Sequence, residues 1–280
     1  VANESSGGGA ASQEMADFLG MAEIPSWGDS TGWQGWVIDV VKNHEASRGY
    51  PAHPIGMTMQ FPVVEQTKVN EPLLRSRAEW ISPGFDDDLP DGQHPMAPGA
   101  PPSRWFADPP PADGAKVVLT DTDHYAPGQS DPLWAWKSFL RGHHPILMDY
   151  GLIGGLEPGG PSAAESGVPP FDAYEPTRYA MGDTRRYAER VDLVAMEPLP
   201  QLASGGYVLA EPGRAYLALA PDGGPLAVTL EPGRYGVEWF DVLRRSTTPG
   251  ETLIVTAAGP VRLASPFGAN PAVLHLSTDG

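Results

Sequence analysis

The chain has 280 residues and a formal charge of −17, with 18 Lys and Arg against 35 Asp and Glu, and it contains no cysteine. So acidic a surface repels a phosphate backbone or an anionic bilayer, which argues against nucleic acid and membrane as partners. Without cysteine there are no disulfides, thiolate metal sites or cysteine nucleophile. The 33 Gly and 32 Pro point to many long loops, while eight Trp argue for a packed scaffold rather than disorder.

Val1-Ala2-Asn3-Glu4 reads as the end of a short apolar strand, without the basic start or apolar run of a signal peptide. The spacing predicts a helix over 31–48, with Trp33, Trp36, Val37, Val40, Val41 and His44 on one apolar face. Asp29, Ser30 and Thr31 offer its N-cap, and Gly49 its stop. A buried strand is expected over 53–61, a short helix over 71–76 and a second strand over 78–82. Residues 85–114, with Asp86-Asp87-Asp88 and repeated prolines, read as a long loop. A strand over 115–121 follows, then a helix over 131–141 opened by Asp131-Pro132, and a strand over 145–149. A second Pro-rich loop at 151–170 leads to a helix over 176–191.

Strands alternating with helices mean parallel βαβ units. After Leu199 the pattern becomes short strands between turns, at 207–209, 215–219, 226–230, 235–240, 252–255, 261–263 and 273–276, the signature of a sandwich. Glu-Pro-Gly-Arg occurs at 211–214 and 231–234, which two similar hairpin turns explain. The fold class expected is therefore α/β followed by all-β. Residues 1–198 form the second half of an incomplete (β/α)8 barrel, and residues 199–280 a β-sandwich.

In such a barrel the chemistry lies at the C-terminal ends of the strands. Asn3-Glu4, Gln60, Asp121-Thr122-Asp123-His124 and Asp149 fall there. Glycoside hydrolysis needs two carboxyl groups across a cleft, and Glu4 with Asp121 or Asp123 supplies such a set from different strands. Asp121 and Asp123 alternate along one strand and so face the same side. Trp80 and Trp134, with Trp105 and Trp136, suit the lining of a sugar cleft and core packing alike. Plainer readings stand beside these: Asn3-Glu4 as a solvated chain end, Asp-Thr-Asp-His as a loop cap or a cation ligand. His143-His144, at a helix end, is read as structural, and Asp86-Asp87-Asp88 as solvated. No metal site or cofactor is expected. No His-Glu-x-x-His motif is present, which disfavours a zinc peptidase.

The run Val1-Ala2-Asn3-Glu4-Ser5 resembles the end of barrel strand four in clan A glycoside hydrolases, where the Glu after Asn is the acid/base. Lys116 to Asp149, with Leu-Thr-Asp-Thr-Asp-His and Pro-Ile-Leu-Met-Asp, resembles the seventh and eighth barrel units of DUF4038-like, apiosidase-related hydrolases. Ala215 to Leu276, with Tyr-Gly-Val-Glu-Trp-Phe-Asp at 235–241, is similar to the small sandwich named as a collagen-binding domain of a collagenase. The resemblance implies Glu4 as acid/base and Asp121 as nucleophile, with Asp123 the near alternative. It departs from the clan in having Asp where Glu is usual. It further implies a polysaccharide or oligosaccharide substrate, missing strands one to three, and a secreted or periplasmic parent whose signal peptide lies upstream. The other reading is a non-catalytic protein that grips carbohydrate or collagen.

Overall fold

The computed structural model describes residues 31–59, 70–84, 103–122, 129–149 and 171–278. The chain divides into two compact units, Val1–Ala107 with Ala115–Pro127, and Asp108–Gly114 with Gly128–Gly280.

The first unit holds helix α1 (Thr31–Arg48), β1 (Gly56–Thr58), α2 (Glu71–Arg75), β2 (Trp80–Ser82), α3 (Arg104–Ala107) and β3 (Val117–Asp121). The strands pair in parallel in the order β1-β2-β3, with Gly56 opposite Trp80 and Trp80 opposite Val117. Helix α1 has the expected span but not the expected face. Its buried residues are Gln34, Ile38 and Glu45, whereas Trp33 and Trp36 are 47% and 63% exposed. Burial follows hydrogen bonding here: the Gln34 side chain donates to the Thr58 carbonyl (3.0 Å) and accepts from the Thr58 N–H (3.3 Å), as a neighbouring strand would. The Glu79 carboxylate accepts from the Ile55 N–H (2.9 Å) and pairs with Lys42 of α1. These two contacts hold the Glu79 carboxyl below the ordinary range. Helix α3 lies inside the stretch expected to be loop, where Ser103 begins the turn and buried Trp105 and Phe106 anchor it.

The second unit holds α4 (Pro132–Leu140), β4 (His143–Ile146), a 3₁₀ turn (Phe171–Tyr174), α5 (Glu175–Ala188) and strands β5 (Glu197–Pro198), β6 (Val208–Glu211), β7 (Ala215–Ala220), β8 (Pro225–Leu230), β9 (Gly233–Asp241), β10 (Ser246–Pro249), β11 (Leu253–Val255), β12 (Gly259–Ala264) and β13 (Ala272–Ser277). Asp131 caps α4 by accepting from the Leu133 N–H at 2.8 Å, with Pro132 in the first turn. Gly142, at φ 79°, turns the chain directly from α4 into β4. Hence the strand runs 143–146 rather than 145–149, and His143 belongs to it rather than to the helix end.

The antiparallel strands form a large sheet, β10-β9-β13-β7-β6-β5, with β11 also on β9, and a two-stranded sheet, β8 with β12. The sandwich core joins Val208, Tyr216, Ala218, Leu274 and Leu276 of the large sheet to Leu226, Val228 and Leu230 of the small one. The opposite face of the large sheet is covered by α4 and α5, where Trp136, Tyr187 and Phe240 meet with ring centroids 5.5–5.7 Å apart. Covered on both faces, β7 buries all six of its residues. The change of pattern at residue 199 thus falls inside this unit.

The two Glu-Pro-Gly-Arg segments have different geometry. The first is the tight β6–β7 turn with Gly213 at φ 87°, and the second leads from β8 of the small sheet into β9 of the large one. Tyr216 ties them together, its hydroxyl accepting from Gly213 N–H (2.8 Å) and Glu231 N–H (3.2 Å). Arg245, between β9 and β10, is in the left-handed region at φ 55°. Its guanidinium holds buried Asp183 by two bonds (2.8 and 3.1 Å) and lies 4.2 Å from the Tyr179 ring centre, which offsets the backbone strain.

Candidate active site

In the first unit the C-terminal ends of the three parallel strands carry oxygen-bearing side chains: Thr58 on β1, Ser82 on β2, Thr120 and Asp121 on β3. The register sets Thr58 opposite Ser82, and alternation puts Asp121 on their face of the sheet, with Thr120 on the other. Thr120 and the following Thr122 are buried, and Asp121 between them is half-buried. The polar groups here are largely fixed. The Ser82 hydroxyl donates to the Leu119 carbonyl at 3.2 Å, and buried Asn70 accepts from the Gly84 N–H at 3.0 Å. Two hydroxyls, those of Thr58 and Thr120, are buried without a hydrogen-bond partner among the described residues. Unsatisfied buried polar atoms are costly, and they gather where a site holds strain or receives a ligand.

Asp121 thus supplies a carboxylate at the end of a parallel strand, able to act as base or nucleophile toward a group above the sheet. Trp80, half-buried, is held by its neighbour: a Cβ at Gly56 would lie 2.0–2.3 Å from its indole atoms, so only glycine lets the ring lie across β1. Asn3, Glu4, Gln60, Asp123 and His124 lie outside the described residues.

One of the expected contacts is corrected, and a second is engaged by a neighbour. Trp134 has 0% exposure and sits in a helix that buries Trp136, Phe139 and Leu140 as well, so it offers no ring face to a sugar and serves packing. Asp149, in the second unit, lies beyond the end of β4 and is gripped by Arg178, whose Nε and Nη2 donate to its two oxygens at 2.5 and 2.9 Å. Arg178 in turn stacks 3.7 Å from the centre of the Phe171 ring. Both oxygens of the expected sugar contact Asp149 are thus engaged by Arg178.

The antiparallel unit contains a polar cluster that the sequence reading passed over. Glu238 of β9 accepts from the Tyr187 hydroxyl (2.7 Å) and from both terminal nitrogens of Arg190 (2.7 and 3.2 Å). Burial works to raise its pKa, but these hydrogen bonds prevail and hold the carboxyl below the ordinary range. His275 of β13 lies beside it, 7% exposed, with Nδ1 3.3 Å from Arg190 Nη2. Desolvation, helped by the Arg190 charge, pushes the imidazole down to about 4. The sequence signal was a single charged or polar residue breaking an apolar strand, Glu in Tyr-Gly-Val-Glu-Trp-Phe and His in Val-Leu-His-Leu.

No protein-family model and no curated protein matches the chain. Solved structures do. One, described as a glycoside hydrolase, superposes with a TM-score of 0.54 at 13% identity, covering 80% of this chain and 57% of that one. A second, a glycoside hydrolase family 5 protein from Bacteroides vulgatus ATCC 8482, gives a TM-score of 0.57 at 13% identity, covering 86% of this chain and 59% of that one. The chain therefore spans under two thirds of the length of either, and at such identity what is shared is the fold: a partial α/β part with a β-rich part, on the plan of solved glycoside hydrolases.

Proposed function

We propose that the chain is part of a glycoside hydrolase that cleaves a glycosidic bond in a polysaccharide or oligosaccharide with two carboxylates. Residues 1–198 contribute the second half of a (β/α)8 barrel and 199–280 the accessory sandwich. Glu4 is the acid/base, Asp121 the nucleophile and Asp123 its alternative, with Asn3, Gln60, Trp80 and His124 as neighbours of the sugar. The observation that carries this reading is the fold shared with two glycoside hydrolases, joined to Asp121 at the end of a parallel strand, where such enzymes keep their reacting groups. DUF4038-like, apiosidase-related hydrolases are the relatives we favour, and a secreted or periplasmic location suits a polysaccharide substrate.

The test is turnover. Release of reducing ends from neutral plant and microbial polysaccharides is measured for the protein and for Glu4→Gln and Asp121→Asn. Each variant is expected to lose roughly 10²–10⁴-fold in rate, the range for a positioned acid or base. Retention of full activity by both variants, or a separation of the two carboxyl groups far above roughly 5–10 Å in a structure with bound sugar, overturns the assignment.

A further inference from the structure

The cluster of Glu238, Arg190 and His275 does not stand alone. Together with Glu211, Arg214 and Ser277 it lines an open groove of about 440 Å³, formed wholly within the second unit. That volume lies in the range of small-molecule clefts, roughly 300–1,000 Å³.

Four of the five charged side chains that line the groove are paired with one another, and the fifth, Asp192, accepts from the Val194 N–H at 3.1 Å. Arg190 pairs with Glu238, and Arg214 with Glu211 at 3.4 Å. Such a wall offers little net attraction to a polyanion or a polycation, yet every member of it is a hydrogen-bonding group. A guanidinium has five N–H donors and a carboxylate about four acceptor positions, more than these pairings use at Arg190 and Glu238. His275 extends this network. Arginine has no acceptor, so His275 Nδ1 accepts from Arg190, which leaves the proton on Nε2. That Nε2–H is buried and has no partner among the described residues. The wall carries paired donors and acceptors held at fixed separation by the segment just after α5, by β9 and by β13.

Donors and acceptors side by side, with the charges nearly offset, match a ligand whose groups are each donor and acceptor at once, namely hydroxyls. We propose that this groove is a binding site for a neutral polyhydroxylated chain, a polysaccharide segment, and that the second unit thereby anchors the protein on its substrate. The choice of sugar among polyols rests on the function proposed above; the groove's preference for neutral hydroxyl-bearing ligands does not.

The experiment is affinity electrophoresis of the full chain in gels containing arabinoxylan, xyloglucan or mixed-linkage β-glucan, with polygalacturonate as the anionic counterpart, run beside a reducing-end assay. Retardation by at least one neutral polysaccharide is expected. It should weaken tenfold or more in Arg214→Ala and in Glu238→Gln, with near-ultraviolet circular dichroism of both variants unchanged. Arg214, half-exposed at a turn, is the variant least able to disturb folding. Retardation that neither variant alters, stronger retardation by polygalacturonate, or none by any neutral polysaccharide overturns the proposal. Retardation as expected, with full hydrolysis kept by both Glu4→Gln and Asp121→Asn, tells against the strand-end carboxylates alone.

Discussion

Strand β3 of the first unit and β13 of the second are nearly equal in length, five and six residues, but they use burial differently. β3 buries alternate residues and ends on Asp121, beside a threonine whose hydroxyl finds no partner among the described residues. β13 buries five of its six residues against two layers at once and admits one polar side chain, His275, which is held neutral there. The contrast separates two uses of a sheet. The parallel strands of the first unit end on oxygen-bearing side chains, whereas β7 and β13 of the large antiparallel sheet spend nearly every residue on packing.

The largest effect expected of this contrast comes from Trp136, fully buried between α4, α5 and the large sheet. Trp136→Ala should cost about 3–5 kcal/mol in denaturant unfolding, as large aromatic truncations in cores do. A loss below about 1 kcal/mol would break the claim that α4 belongs to the sheet's core.

The next effect is pH dependence. His143 and His275 are both depressed from the ordinary 6.5 to about 4, chiefly by burial. The unfolded chain therefore binds protons between those values that the fold refuses. Their stability contribution is full above pH 6.5 and is lost as pH falls toward 4, at about 1 kcal/mol per unit for each histidine. Thermal melts across this window should show the slope, and His275→Gln should flatten it; an unchanged slope removes the buried neutral imidazole from the account.

Tyr216→Phe deletes the acceptor shared by the Gly213 and Glu231 amides. About 1–3 kcal/mol should be lost, because two donors are stranded at once. The smallest expected effect sharpens the parallel side. Thr120→Val and Thr58→Val remove hydroxyls without partners among the described residues. Stability should stay within about 0.5 kcal/mol or rise. If reducing-end release falls in these variants while melts do not, the strand ends are kept polar for chemistry.

How much of this could be read in the sequence depends on what sets each feature. Local chemistry marked the ends and spans of elements well: α1 covers the predicted 31–48, and Asp131-Pro132 opens α4. The apolar alternation of 226–230 and 273–276 likewise yielded β8 and β13. What periodicity could not tell was which face of α1 turns inward, because the decision belongs to Gln34 and a strand backbone 24 residues away. Trp134 stayed open for a like reason, since a tryptophan looks alike in a cleft and a core, and its burial decides for the core. β10, Ser-Thr-Thr-Pro, was invisible because it is ordered by pairing with β9 rather than by its own apolar pattern. The place of Asp121 at a strand end was legible, since the strand expected over 115–121 ends there. The Tyr187–Glu238–Arg190–His275 cluster was not, since its members lie up to 88 residues apart, from 187 to 275, and only the packing of α5 on the sheet joins them.

The bond pattern of Tyr216 also bears on how this unit can be re-engineered. A single phenol serves the turn after β6 and the link from β8 into β9, so neither connection is an independent module. Loop grafts, circular permutation or a fused tag at either one would unseat the other. The Asp222-Gly223-Gly224 reversal between β7 and β8 is no simple substitute, because a Cβ at Gly223 would meet backbone atoms of 268–270 at 2.5–2.6 Å. The turn between β9 and β10, centred on exposed Leu243, is barred in its own way, since the Asp241 carboxylate accepts from the Leu243 and Arg244 amides. Among the described residues, Glu251 and Thr252, between β10 and β11, carry no such shared bond, and they are the natural place to open the chain.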